Sequence, residues 1–185
     1  MRTFTEEFIQ QCRGQDRQAQ KRLFDALFAP LLRTANRYVS DVSEAEDCVM
    51  KGFLKAFLNL DKFKFKDESS FYFWIRRIVI NETLMFLRQR HNFILNLEED
   101  YEDQTTENDA LQKLAAEELN QLITSLPQGY RTVFCLYVVD GYDHAEIATQ
   151  LGISESTSRT QLAKARQRLK LLLEKQIDES ARWGG

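Results

Sequence analysis

An all-α protein, built as two small helical domains joined by a flexible acidic linker, is what this sequence predicts, and three observations predict it. Among 185 residues there are only two prolines and seven glycines, so little in the chain interrupts a helix. Apolar residues recur with a 3.6-residue period and few β-branched runs accompany them, so nothing reads as a sheet. The third observation is where the acid lies. The net charge is −3, yet residues 1–93 hold 16 Lys or Arg against 12 Asp or Glu, residues 94–120 hold one Lys against nine acids, and residues 121–185 hold eight against seven. The run Glu98 to Asp109, EEDYEDQTTEND, has too little apolar content to bury and repels itself, which is the composition of a linker. The expected division is 1–93, a linker over 94–112, a second domain over 113–178 and a tail over 179–185.

In the first domain, Leu23, Leu27, Phe28, Leu31, Leu32, Ala35, Tyr38 and Val39 recur at helical spacing, with Arg33 and Arg37 outside. Ser43-Glu44-Ala45-Glu46 then reads as a Ser-x-x-Glu capping box, starting a helix that continues through Val49, Phe53, Leu54 and Phe57 to Leu60. Most of those apolar residues are expected in the core, and Asp47, Met50, Lys51 and Lys55 form the polar face. A loop of alternating Lys and Phe, DKFKFKDESS, leads to a third helix, FYFWIRRIVINETLMFLRQRH, with Ser69 or Ser70 as its cap and Ile75, Ile78, Val79 and Leu87 inward. Four consecutive aromatics, Phe71 to Trp74, cannot all be buried on one helix. Surface rings beside Lys64, Lys66, Arg76, Arg77, Arg88 and Arg90 suit single-stranded DNA, with cations along the backbone and bases stacked on rings; an aromatic-rich core with a solvated basic rim is the other reading.

The second domain carries a helix-turn-helix pattern. A helix from Asp143 to Leu151 has Ile147, Ala148 and Leu151 on one face. Gly152 ends it, because the residue past a helix end often needs positive φ, and Ser154 can cap the next helix. That helix points Thr157, Leu162, Ala165 and Leu169 inward. Between Ser154 and Lys175 it holds six Lys or Arg against Glu155 and Glu174. Small polar residues at its start, Ser156, Thr157, Ser158, Thr160 and Gln161, can enter a major groove, with the cations beyond on phosphates.

Other chemistry has no visible seat. Cys12, Cys48 and Cys135 are widely separated and lack a His or Cys at metal-ligand spacing, so they read as buried thiols. His91 and His144 are isolated, and no phosphate loop or nucleophile motif occurs. No enzyme activity, metal, cofactor or small-molecule substrate is expected. The longest apolar run, Phe134 to Val139, is too short for a bilayer, and the N-terminus lacks a signal-peptide layout, so no membrane insertion and a cytoplasmic location are expected.

The order of parts resembles a bacterial sigma factor of the extracytoplasmic-function type, a branch of the sigma-70 family, over about Leu23 to Leu173. The residues that carry the resemblance are Ala45-Glu46-Asp47 with Phe53; Phe71, Trp74, Ile75, Ile78 and Asn81; Leu126-Pro127 with Arg131; Gly141; Glu146-Ile147-Ala148; Leu151-Gly152-Ile153-Ser154; and Ala165-Arg166. Each is weak alone, while their order and spacing together are specific.

The resemblance implies a region-2-like bundle and a region-4-like helix-turn-helix, core RNA polymerase (clamp helices and flap) and promoter DNA as partners, and an anti-sigma protein that holds the factor inactive. It assigns Asp47, Met50, Phe53, Leu54 and Phe57 to polymerase docking. It assigns Lys66, Asp67, Ser69, Tyr72, Trp74, Arg76, Arg77 and Asn81 to recognition and melting of the minus-ten element. Ser156, Thr157, Arg159, Thr160, Ala163, Lys164 and Arg166 go to the minus-thirty-five element, with Arg159 reading bases and Lys164 or Arg166 on phosphate. Five positions differ from the common family pattern: Met50-Lys51 replaces Gln-Glu, Met85 an Asp, Ser158 a Val and Gln161 a cation. The alternative is a polymerase-independent helix-turn-helix regulator, which leaves the aromatic-basic helix unexplained.

Overall fold

The computed structural model describes residues 4–89 and 116–183, with side chains over 4–89 and 119–174. The chain divides into two compact units, Met1–Leu87 and Arg88–Gly185. The expected linker, residues 94–112, lies outside the described residues.

The first unit holds α1 (Glu6–Arg13), α2 (Arg17–Asn36), α3 (Val42–Asn59), a 3₁₀ turn (Leu60–Lys62) and α4 (Glu68–Gln89). Each helix starts where a side chain satisfies the first open amides. Thr5 Oγ1 accepts from Phe8 N at 3.2 Å, and Asp16 Oδ1 accepts from Gln18 N and Ala19 N at 2.8 and 2.9 Å. The cap of α3 is Asp41, which accepts from Glu44 N at 2.9 Å, rather than Ser43, which lies exposed inside the first turn. For α4 it is Asp67, which accepts from Ser70 N at 2.7 Å while Ser70 Oγ accepts from Asp67 N at 3.1 Å. Ser70 therefore completes a reciprocal cap that a carboxylate starts, and Ser69 stays exposed. In both corrections a carboxylate upstream of the serine takes the capping role. Ile9, Leu23, Leu31, Tyr38, Val49, Phe71, Ile75, Val79, Leu84 and Leu87 form the core.

The second unit holds α5 (Ala116–Thr124), α6 (Gln128–Phe134), a π-turn (Cys135–Val139), α7 (His144–Leu151) and α8 (Glu155–Trp183). The π-turn is closed by Asp140 N donating to Cys135 O at 2.9 Å, five residues back. Leu122, Leu126, Val133, Phe134, Leu136, Ile147, Leu151, Leu162, Ala165 and Leu169 pack together. Arg131, also buried, donates from Nη1 to Thr124 O at 2.8 Å, tying α6 to the last turn of α5. Burial lowers the pKa of that guanidinium. Among the described residues no strand occurs, and no helix is long and apolar enough to cross a membrane.

Candidate polymerase and nucleic-acid interfaces

Alternating burial along α3 sorts its apolar residues into two faces. Ala45, Cys48, Val49, Gly52, Phe53 and Ala56 turn inward, while Met50, Leu54 and Leu58, spaced four residues apart, stand 51%, 62% and 73% exposed. Leucines so open on a helix face are unusual when they form a continuous stripe, and such stripes mark docking surfaces. Exposed Asp47 and half-buried Phe57 flank it. Phe53, expected at the docking face, is buried and packs its ring 4.8 Å from Phe24 and 6.1 Å from Phe57. It supports the face from beneath. Leu58 was not anticipated, although its spacing from Leu54 carried the signal.

A second surface is built by the loop before α4 and by the start of that helix. Phe63 is buried and anchors the loop, its ring 4.9 Å from Trp74 and 5.4 Å from Phe71. Lys64, Lys66 and Asp67 are exposed beyond it, and Phe65 is half-buried. Of the aromatic quartet, Phe71 is fully buried, Tyr72 and Trp74 are half-buried, and Phe73 is exposed. Four residues on from Phe73, Arg77 is also exposed, so ring and cation share one helix face; Arg76 and Asn81 are half-buried. Phe73 was missing from the expected contact set, because a run of four aromatics does not reveal which one the helix turns outward. Behind this surface, Lys55 Nζ lies 2.7 Å from Glu82 Oε1, joining α3 to α4.

The helix-turn-helix forms as its sequence pattern requires. Asp143 caps α7 in a reciprocal box with Glu146. Gly152 takes φ 71°, ψ 33°, the left-handed conformation that ends the helix without a Cβ clash. Ser154 Oγ accepts from Thr157 N at 2.9 Å to begin α8. Along α8, Ser156, Arg159 and Arg166 are exposed, and Thr157, Thr160 and Ala163 are half-buried. Ser156, Arg159, Thr160 and Ala163 follow i, i+3, i+4, i+7 spacing and therefore share one face. Lys164 departs from expectation, because it is buried together with Ser158 and Gln161 on the opposite side. Of the two candidate phosphate contacts, Arg166 is the one at the surface.

Arg159 Nη2 pairs with Glu155 Oε2 at 2.6 Å, and both side chains are substantially exposed. An exposed pair of this kind contributes only about 0–1 kcal/mol, while a bidentate Arg–guanine contact supplies about 1–3 kcal/mol of discrimination. The pair is therefore weak enough for the guanidinium to exchange Glu155 for another acceptor. Beneath it, His144 Nδ1 lies 2.9 Å from Ser158 Oγ, and the imidazole stacks on Tyr137 with centroids 4.5 Å apart. Burial and then the Arg159 guanidinium push the His144 pKa below its ordinary value. Neither side chain announced this contact, which joins residues 14 apart across the turn.

The three cysteines are buried free thiols. Burial raises Cys12 to about 11 and pushes Cys48 up as well. Thiols held protonated in this way are poor nucleophiles and poor redox sensors.

Two family patterns match the chain in order: Sigma-70 region 2 over residues 23–93 and Sigma-70, region 4 over residues 116–169. The chain is 28% identical to the RNA polymerase sigma-H factor of Pseudomonas aeruginosa over 193 residues, an alignment covering 95% of this chain and 99% of that one. It is 27% identical to the ECF RNA polymerase sigma factor SigW of Bacillus subtilis over 175 residues, covering 88% and 92%. Among solved structures it is similar to the sigma factor RpoE in complex with the anti-sigma factor NepR from Bartonella quintana, with 22% identity, 83% and 96% of the two chains covered, and a TM-score of 0.49. With both patterns in sigma-factor order and relatives aligned over nearly their full lengths, the chain belongs to the sigma-70 family of RNA polymerase sigma factors, in the extracytoplasmic-function group.

Proposed function

We propose that the two units divide the work of promoter-specific initiation between three surfaces. The stripe Met50, Leu54 and Leu58, with Asp47 and Phe57, docks on the clamp helices of core RNA polymerase. The loop Phe65 to Ser70 and the exposed side of α4, with Lys66, Ser69, Tyr72, Trp74, Arg76, Arg77 and Asn81, receive the minus-ten element as a melted strand. Extruding a base costs a few kcal/mol of stacking and pairing, which stacking on rings and hydrogen bonds to the base edge offset. Ser156, Arg159, Thr160 and Ala163 read the minus-thirty-five element in the major groove, and Arg166 meets phosphate.

The observation that carries this reading is the exposed apolar stripe on α3. A factor that bound DNA without a protein partner would gain nothing from Leu54 and Leu58 in water, whereas a factor working on polymerase needs such a face. Each unit offers few cations to phosphate, so duplex binding by the free chain is weak and falls with salt. Held together by polymerase, the two units bind as one bivalent reader whose effective concentration multiplies their separate affinities. The chain acts by binding, in the cytoplasm, with residues 94–112 connecting domains at 1–93 and 113–178. A dedicated anti-sigma protein is the expected antagonist; RpoE from Bartonella quintana has one in its co-crystal structure.

The test is co-elution with purified core polymerase, followed by permanganate footprinting of a promoter fragment. Co-elution that Leu54→Asp abolishes, with reactive thymines only when the wild-type protein is present, supports the proposal. Stable duplex binding by the free chain without co-elution favours the stand-alone regulator.

A further inference from the structure

Helix α1 lies upstream of the segment matched by region 2, which begins at residue 23, so the family pattern assigns it no role. Its last residue, Arg13, reaches across to residues 60 and 63. The Nε donates to Leu60 O at 3.0 Å, and Nη2 donates to Phe63 O. These carbonyls bracket the 3₁₀ turn Leu60–Lys62 that ends α3; Leu60 O also accepts from Phe63 N at 3.1 Å, and the carbonyl end of a helix carries partial negative charge that favours a cation. One planar guanidinium spans both; an ammonium cannot hold two separated acceptors in a fixed plane.

The segment just before that helix packs against the aromatic cluster that holds the loop. Phe8 is buried with Phe4, whose ring meets Phe71 at 5.9 Å; Phe71 in turn meets Phe63 at 5.4 Å, and Phe63 lies 4.9 Å from Trp74. Phe63 is thus fixed by its carbonyl and by its ring. At the other end the loop is fixed by the Asp67–Ser70 cap. Only Lys64, Phe65 and Lys66 lie between the two anchors.

We propose that Arg13 is a positioning residue for base selection at the minus-ten element. By clamping the backbone at Leu60 and Phe63, it sets where the three-residue span leaves the bundle relative to Trp74. A span held at both ends presents one arrangement to the extruded base, and discrimination between bases depends on that preorganisation. Releasing one end lets the span adapt to a wrong base as readily as to the right one. The proposal rests on the reading that this loop and α4 take the melted strand, and the experiment separates the two.

Holoenzyme is reconstituted from core polymerase and full-length protein, and a forked promoter fragment with a randomised six-nucleotide single-stranded non-template segment is selected for binding. The ratio of affinities for the most enriched fragment and its single-base substitutions is then measured for wild type, Arg13→Gln, Arg13→Lys and Trp74→Ala. Partial unfolding lowers every affinity by one factor and leaves this ratio unchanged, so a merely structural role does not move it. Arg13→Gln is expected to lower the ratio about tenfold, with the charged but unforked Arg13→Lys intermediate. If Trp74→Ala weakens binding while both Arg13 variants keep the wild-type ratio, the positioning role is overturned. If Trp74→Ala leaves binding unchanged, the reading of the loop itself fails.

Discussion

Gly52 of α3 lies so close to Val79 of α4 that a Cβ at residue 52 would sit 2.6 Å from Val79 Cγ2 and 3.1 Å from Val79 Cα. This approach sets the rotation of α3 on α4. It therefore decides that Cys48, Phe53 and Ala56 face inward while Met50, Leu54 and Leu58 face water.

Gly52→Ala is predicted to destabilise the protein despite the better helix propensity of alanine. The gain is about 1 kcal/mol, whereas overpacking against backbone costs about 1–3 kcal/mol and here requires two helices to separate. Gly14→Ala is the contrast, because its Cβ would meet only carbonyl oxygens at 3.5 and 3.6 Å. Urea unfolding followed by circular dichroism should show Gly14→Ala unchanged or more stable and Gly52→Ala less stable.

Neighbouring residues on α3 should separate docking from folding. Leu54→Asp is expected to leave stability within about 0.5 kcal/mol and to weaken binding to core polymerase at least about tenfold, since the lost apolar burial alone is worth about 1.5–3 kcal/mol. Phe53→Ala, with its ring between those of Phe24 and Phe57, should cost about 3–5 kcal/mol of stability. Surface plasmon resonance on immobilised core, paired with thermal melts, distinguishes the two.

On α8 the three cations near the groove should behave differently. Arg159→Ala is predicted to relax preference at one base pair of the upstream element, at a cost of about 1–3 kcal/mol. Arg166→Ala should weaken all sequences alike and shallow the slope of log affinity against log salt by about 0.9. Buried Lys164 should show neither effect on substitution by Met, which keeps most of the stem. Holoenzyme binding to upstream-element variants at several salt concentrations provides the check.

Acidification should loosen the helix-turn-helix through His144. Burial and the Arg159 guanidinium hold its folded pKa below the ordinary value of 6.5, so the unfolded chain binds the proton more readily. The contribution to stability is present above about pH 6.5 and is lost as pH falls through the folded pKa. Between pH 7 and pH 5 the melting temperature of the wild type should therefore fall further than that of His144→Gln. Equal falls would remove His144 from the explanation.

Local patterns make the helices, the left-handed Gly152 and the Ser154 cap readable from the sequence, because each depends on residues within four positions. What stayed hidden depends on distant partners. Two apolar neighbours such as Phe53 and Leu54 look alike in sequence, and it takes tertiary contacts, the Gly52–Val79 approach and the packing of Phe53 on Phe24, to show which faces outward. Lys164 reads as one more cation on a basic helix until burial removes it from the surface. Helix α1 carries a usable signal in Thr5, Phe8, Ile9 and Cys12, yet Arg13 acts on carbonyls 47 and 50 residues away. The Asp41 and Asp67 caps were obscured by nearby serines, which are equally good at starting helices.

Run-off transcription tests the central claim most directly: purified core polymerase from the source bacterium is given a pool of its genomic promoter fragments, with and without the protein and with Arg159→Ala. The account predicts transcripts that appear only with the protein and share two sequence elements about two helical turns apart, with Arg159→Ala losing preference in the upstream element. Transcription unchanged by the protein, together with stable duplex binding by the free chain, would contradict it.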